Sequence, residues 1–523
     1  MRSNTMSGAD CVNPGCVFMA ELMITPGRAD FLSAANSYTL VPVFSEIRAD
    51  FETALSVFLK CKGDCLLESV EGGSHVGRYS IVSCGSIDRF TVRGQKLVRS
   101  RPGVEDIQEQ ADFSEILGRI RGWFSAYVCP EIAGLPPFWG GAIGFLGYEA
   151  VRWFEDIPLR EEYSSIPDAV LNIPRVVLVL DSVRRSLFII VSTVLQPDAA
   201  QNSAAYTEAC ALINHYTELV SGYLPVQDLS AGGAGSAAGD SLITAGISSD
   251  SDAVDYCARV RQCQQFIRDG EAIQIVLSRK YRATMPKDGF AVYRTLRSLN
   301  PSPYLFYLRY DSLQLIGSSP EVMVQLRDGQ VLVKPIAGTR RRGASAAEDA
   351  ALARELLADA KERAEHLMLV DLARNDVGRI ALPASVQVGD FMTVEQYSHV
   401  MHLVSTVYGG LREGLDAFDV IQAVFPAGTL TGAPKIRAMQ LIAGLEKMRR
   451  GPYGGMVLNL GFNGSLDSCI TIRTICAEGD VAWVQAGAGI VADSIPESEF
   501  RETEDKAAAL LKALQMANAG AAI

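Results

Sequence analysis

The chain has 523 residues, long for one hydrophobic core, so roughly two to four domains or one large domain of intimately packed halves is expected. Its net charge is −12, and Lys and Arg cluster nowhere beyond Arg340-Arg341-Arg342, which excludes an extended nucleic-acid surface. No apolar run approaches the ~18 to 20 residues that span a bilayer, Met1 to Arg28 lacks the order of a secretory signal, and the eleven cysteines form no CxxC pair; a cytoplasmic protein with mostly buried thiols and no membrane partner is expected.

Residues 1–37 read as a loose leader, with scattered Gly, Ser and Pro and no periodicity. From Asp50 to Lys60, Phe51, Ala54, Leu55, Phe58 and Leu59 recur at helical spacing, with Thr53 or Asp50 as N-cap. Cys65 to Glu68 is a short strand running into the Gly72-Gly73 turn, and Gly77 to Val82 is another. Between Phe138 and Glu149 glycines alternate with large apolar residues, as in a sheet interior where another backbone comes close. Val176 to Asp181 and Leu187 to Val194 are β-branched runs that predict a hairpin. The half from 38 to 227 is therefore β-rich scaffold.

Residues 228–251 collapse to Ala, Gly and Ser, a linker composition, and the sequence boundary is placed there. A second half, 252–516, opens with a helix from Asp252 to Asp269 and a strand from Ala272 to Ser278. The rigid turn Asn300-Pro-Ser-Pro-Tyr304 leads to strands at Leu305 to Leu308, Gln314 to Gly317 and Val331 to Pro335. A helix then spans Lys361 to Asp376, with Leu367, Met368, Val370 and Leu372 as its apolar cluster. Ser398 to Ser405 alternates like a strand, and Pro426 to Lys435 is a Gly/Thr loop opening onto a helix with amides toward an anion. Gly451 to Gly455 is a turn, Ile470 to Ile475 a strand with Arg473 in its middle, and Val484 to Ile490 a strand ending at small residues. Ser494 as cap and Pro496 at the first position start a terminal helix, Glu497 to Met516.

Two of these helices carry glutamates three apart, Glu362/Glu365 and Glu499/Glu502, a spacing that points both carboxylates the same way. One reading is a solvated acidic face. The other is a set of hard oxygen ligands for one divalent ion, a chemistry that favours Mg²⁺ over zinc or copper.

The second half resembles the chorismate-utilising enzymes, and the chain from about Tyr38 to Leu514 is similar to the large, synthase subunits (component I) of the anthranilate synthases within them. The resemblance rests on Pro335-Ile-Ala-Gly-Thr-Arg340, Glu365-His-Leu-Met-Leu-Val-Asp-Leu-Ala-Arg-Asn-Asp376, Gly428-Thr-Leu-Thr-Gly-Ala-Pro-Lys435, Tyr453-Gly-Gly455, Ile472-Arg473 and Gln485-Ala-Gly-Ala-Gly489, in that order. It implies an α+β fold of large antiparallel sheets packed as a layered sandwich flanked by helices. It also implies chorismate as substrate and Mg²⁺ as cofactor, with Glu365 and Glu502 as metal ligands and Glu362 and Glu499 beside them. Arg473, Tyr453 and the backbone of Gly487, Ala488 and Gly489 would hold the enolpyruvyl carboxylate, with Gly338 and Thr339 along the ring.

The implied reaction is attack of ammonia on the ring with loss of a hydroxyl, then elimination of pyruvate and aromatisation to anthranilate. Glu321, in Ser319-Pro320-Glu321, resembles the general acid, a role that requires a carboxyl whose pKa is raised by acidic surroundings; His402 resembles the histidine near the ring, and Thr429 a pocket-loop residue. Relatives that add water carry a lysine base at the place held by Gln274, and glutamine takes no proton. Aminodeoxychorismate synthases commonly carry a lysine where this chain has Ala337, and alanine offers no nucleophile. The alternatives kept open are an aminodeoxychorismate or aminodeoxyisochorismate synthase and an idle tryptophan-sensing subunit. In the first half, Ser69 with Pro303, Tyr304 and Leu305 resembles a tryptophan feedback site. No stretch resembles a glutamine amidotransferase, so a separate amidotransferase subunit (component II) is the expected ammonia source.

Overall fold

The computed structural model describes residues 22–69, 77–159, 164–224, 246–396 and 400–519. Most of the expected leader, the Gly72-Gly73 turn, most of the 228–251 linker and the start of the strand expected from Ser398 lie outside the described residues. Two twelve-stranded sheets built of antiparallel ladders pack face to face. None of the described helices is long and apolar enough to cross a membrane.

Both halves of the sequence build both sheets. In the first sheet, strand Cys65–Glu68 pairs with Tyr304–Tyr310, placing Leu305 opposite Glu68. In the second, Gly141–Leu146 pairs with Met456–Gly461, placing Leu146 opposite Met456. Strand periodicity then distributes the core. Phe306, Leu308 and Tyr310 point between the sheets, whereas Leu305 and Tyr307 point outward under helices Gly289–Leu299 and Pro496–Asn518. Leu187, Ile189 and Val191 likewise face outward while Phe188 and Ile190 face in, so that run is apolar throughout because the strand is buried on both faces. Gly144 is required by the approach of the neighbouring strand: the carbonyl of Val170 occupies the space a Cβ would need.

Several expectations are corrected. The leader is not loose throughout, because Arg28–Ala34 is a helix whose Phe31 is fully buried with its ring 5.1 Å from that of Tyr206. The helix expected from Asp50 runs Ala54–Cys61; Thr53 closes a reciprocal capping box with Ser56 and leaves Phe51 97% exposed. Ser494 does not cap the terminal helix, whose N-cap is Ile495; its hydroxyl instead accepts from the amide of Val491. The Gly/Thr loop is folded on itself as the 3-10 turn Gly428–Leu430, with the amides of Leu430 and Thr431 bonded to the carbonyls of Ala427 and Gly428. The run Ile470 to Ile475 is not one strand: Leu466–Ile470 lies in the second sheet, Thr474–Glu478 in the first, and Arg473 between them takes φ +50°.

Candidate active site

The helix carrying the first glutamate pair runs Ala360–Gly378. Asp359 caps it, accepting from the amides of Lys361 and Glu362 at 3.0 and 3.2 Å, and also pairs with Arg340 at 2.9 Å. Its buried stripe is His366, Leu369, Val370, Ala373, Asp376 and Val377; Leu367, expected inside, is 46% exposed. His366, fully buried, sits 2.7 Å from the Ser405 hydroxyl and seats the helix on strand Val400–Gly410. Glu365 therefore emerges at the edge of the buried stripe, where the Gln274 amide donates to it at 2.8 Å. Burial raises the Glu365 carboxyl above its ordinary range; Gln274 opposes this, while Glu362 and Glu502 add to it.

Glu502 and Glu499 project from the first turns of helix Pro496–Asn518. Glu499 is raised by burial and by Glu502, against a hydrogen bond from Ser494. Glu362 pairs with Arg340 at 3.1 Å, and Glu502 with Lys506 at 2.6 Å. Among the described residues no three acidic, histidine or cysteine side chains lie close enough together to hold an ion. The donors nevertheless fit a hard cation. They are oxygen-only, and Glu365 senses both Glu362 and Glu502, a like-charge arrangement that a divalent ion relieves.

Glu321 lies where Ser319-Pro320-Glu321 passes from strand Leu313–Ser319 of the first sheet to Val322–Arg327 of the second. It is buried, and burial pushes its carboxyl up to about 7 despite a 2.9 Å hydrogen bond from Thr429 and the charge of Lys506. A carboxylic acid that holds its proton near neutrality is suited to protonating a leaving group. The cationic side comes from Arg473. Its left-handed backbone, uncommon for a non-glycine residue, ends the alternation of the strand, and its Nη1 donates to the carbonyl of Lys506 at 3.0 Å. Tyr453 and Glu502 lie within electrostatic reach of this guanidinium, whose pKa burial lowers. A Cβ at Gly487 would sit 2.7 Å from the Tyr453 hydroxyl, so glycine there lets the ring reach the backbone of strand Val481–Ile490, which continues through Ala488 and Gly489.

His402 faces Thr339 across the ladder, its Nδ1 3.1 Å from the Thr339 hydroxyl and 3.0 Å from the Gly338 carbonyl. A carbonyl only accepts, so Nδ1 carries the hydrogen and the neutral ring keeps its lone pair on Nε2. Burial, and to a lesser degree Arg473, hold the ring below its ordinary pKa. The structure thus gathers Glu321, Thr429, Arg473, Tyr453, His402 and the glutamates around one region. The sequence reading missed Lys506, which pairs with Glu502, donates to the Gly487 carbonyl at 2.9 Å and acts on Glu321. Its i,i+4 spacing from Glu502 was the available signal.

Ser69, Pro303, Tyr304 and Leu305 come together elsewhere, in a cavity of about 660 Å³ between the sheets. Asp467 and Gln325, directly opposite each other on adjacent strands, line it from the second sheet and both bond the Tyr304 hydroxyl, at 3.0 Å each.

A family model described as chorismate binding enzyme matches residues 66–512. The anthranilate synthase component 1 of Acetivibrio thermocellus is 42% identical over 503 residues, spanning 95% of this chain and 99% of its own length. That of Aquifex aeolicus is 41% identical over 507 residues, spanning 92% and 96%. The crystal structure of anthranilate synthase component I from Streptococcus pneumoniae TIGR4 superposes with a TM-score of 0.71 at 32% identity, covering 89% of this chain and 99% of that one.

Proposed function

The chain belongs to the chorismate-binding enzymes, and from that premise we propose that it is an anthranilate synthase large subunit, converting chorismate and ammonia to anthranilate, pyruvate and water. The observation that carries this reading is Glu321, a buried carboxyl with a pKa of about 7 in the same region as Arg473, Lys506 and the Glu365 cluster. Hydroxide is a poor leaving group. Glu321 supplies its proton as ammonia attacks the ring, and the hydroxyl departs as water. Arg473, Tyr453 and the Gly487–Gly489 backbone hold the enolpyruvyl carboxylate, and Gly338 and Thr339 line the ring. His402, neutral and oriented by the Gly338 carbonyl, assists proton removal in the pyruvate elimination that aromatises the ring.

Glu365 and Glu502 would hold a Mg²⁺ ion, with Glu362 and Glu499 beside them. Bound there, Mg²⁺ supplies the positive charge that offsets the ring carboxylate. Gln274 holds Glu365 in place and, unlike lysine, cannot serve as a base for water.

Ammonia is delivered by a separate glutamine amidotransferase subunit, component II. The cavity at Ser69, Pro303, Tyr304 and Leu305 takes tryptophan as feedback inhibitor: its volume is ordinary for a small-molecule site and it offers apolar walls with fixed polar groups. Gln325 and Asp467 belong to strands whose continuations lead to Glu321 and Arg473, and the Ile470 amide donates to the Glu321 carbonyl at 3.0 Å. A ligand that displaces their bonds to Tyr304 therefore acts on both site groups. The described cysteines are all free, consistent with the cytoplasm.

The test is product analysis from chorismate, Mg²⁺ and ammonium chloride, with and without tryptophan. Anthranilate fluorescence that tryptophan suppresses is expected. Accumulation of a non-aromatic amino acid would instead assign the chain to the aminodeoxychorismate or aminodeoxyisochorismate chemistry, and no turnover at all to a sensing subunit.

A further inference from the structure

Arg450 touches no predicted substrate group, yet it is 2% exposed and its guanidinium is engaged on every side. Nε and Nη2 fork onto the Glu446 carboxylate at 2.8 and 2.7 Å. Nη1 donates to the Leu430 carbonyl at 2.7 Å, and Nη2 to the Val276 carbonyl at 2.8 Å. The guanidinium also lies 4.6 Å from the ring centre of Tyr148 and 5.6 Å from that of Tyr453. Its own backbone amide and that of Gly451 are fixed by the two oxygens of Glu149, each at 2.9 Å.

Those partners are not arbitrary. Leu430 follows Thr429, which bonds Glu321; Val276 is two residues after Gln274, which bonds Glu365; Tyr453 reaches Gly487. We propose that Arg450 is a positioning residue of this site, one planar guanidinium that sets the Thr429 turn, the Gln274 strand and the Tyr453 ring in common register. The planar fork matters because a lysine ammonium matches the charge of Glu446 but cannot hold a carboxylate and two separate carbonyls in one plane. The proposal rests on the anthranilate synthase reading for its kinetic readout, and on the geometry alone for its second readout.

Arg450→Lys is compared with Asp88→Asn, which breaks a buried pair with Arg99 in the second sheet and touches neither the Thr429 turn nor the Gln274 strand. In Arg450→Lys, kcat at saturating chorismate and ammonium falls about 10²-fold, as displacements near 1 Å produce, while KM changes by less than about threefold. The carboxyl titration of Glu321 is followed by infrared difference spectroscopy on the full chain without substrate and assigned by its loss in Glu321→Gln. It moves to higher pH in Arg450→Lys, as it does in Thr429→Val; Lys506, the charged group facing Glu321, is unchanged in both. Asp88→Asn lowers the melting temperature but retains kcat and the titration.

Arg450→Lys with wild-type kcat per folded molecule and an unmoved titration would overturn the proposal. So would losses of kcat that track melting temperature in both variants. If Arg450→Lys does not fold, Glu446→Gln decides, because it loosens the fork: a lower kcat with the titration moved to higher pH supports the proposal, and retention of either refutes it. A wild type that makes no anthranilate, with the titration still displaced in Arg450→Lys, sinks the functional reading and leaves the positioning role standing.

Discussion

Glu321 and Thr429 together make the pH dependence predictable. Glu321 acts in its protonated form, so kcat should fall as pH rises through about 7, the value to which burial pushes its carboxyl. The hydrogen bond from Thr429 favours the charged form, so Thr429→Val should move that alkaline limb to higher pH; a limb that stays or moves down would contradict the assignment. Glu321→Gln should lower kcat by about 10²- to 10⁴-fold, the usual contribution of a positioned acid. Glu365→Gln keeps the size of the side chain but removes the charge that would hold Mg²⁺. It should abolish chorismate turnover at any Mg²⁺ concentration while tryptophan binding, measured by equilibrium dialysis, stays at wild-type affinity. The residues involved differed in legibility. The glutamate spacing and the Ser-Pro-Glu sequence were visible in the chain. A raised pKa of Glu321 was expected too, but from acidic surroundings; its cause is burial, which only the crossing between sheets creates.

At the scale of elements, the helix Ala360–Gly378 shows why existence was easier to read than orientation. Its approximate extent was evident, but its cap, Asp359, was not, and its buried stripe includes His366 and Asp376, polar residues that no hydrophobic periodicity marks, while Leu367 faces out. Helix Ala199–Ser221 escaped assignment for the same reason, since its buried positions are Asn202, Ala209, Ile213, Thr217 and Val220. The Ile470 to Ile475 run failed differently: the alternation of residue types continues through a crossing from the second sheet to the first, where Arg473 takes the αL conformation. His366 gives the helix a measurable acid limit. Burial pushes its imidazole down to about 4, against about 6.5 when unfolded, so the unfolded chain binds the extra proton first. The stabilisation is complete above about 6.5 and lost as pH falls toward 4, on the order of 3 kcal/mol in all. His366→Asn, which cannot titrate, should therefore show a flatter melting temperature between pH 6.5 and 4 than the wild type; parallel curves would refute the role given to His366.

At the scale of the molecule, the sequence boundary near 228–251 is real in composition but does not divide the sheets. Pairing between distant segments leaves no local signature, so the chain could be read as two halves without showing that each half completes the other's sheets. A chain of residues 246–523 alone would expose the edge of Tyr304–Tyr310, deprived of Cys65–Glu68, and that of Met456–Gly461, deprived of Gly141–Leu146. Phe306, Leu308 and Tyr310 would also lose the partners Ile143 and Phe145 between the sheets. Open, apolar strand edges pair with other chains. Expressed alone, this half should aggregate or melt without cooperativity, although it carries every residue assigned to the chemistry. Co-expression with residues 1–245 should restore a single cooperative transition and chorismate turnover together, read by calorimetry and anthranilate fluorescence. A monomeric 246–523 that melts cooperatively by itself would show that the two halves are separable bodies and that the shared sheets contribute little to the fold.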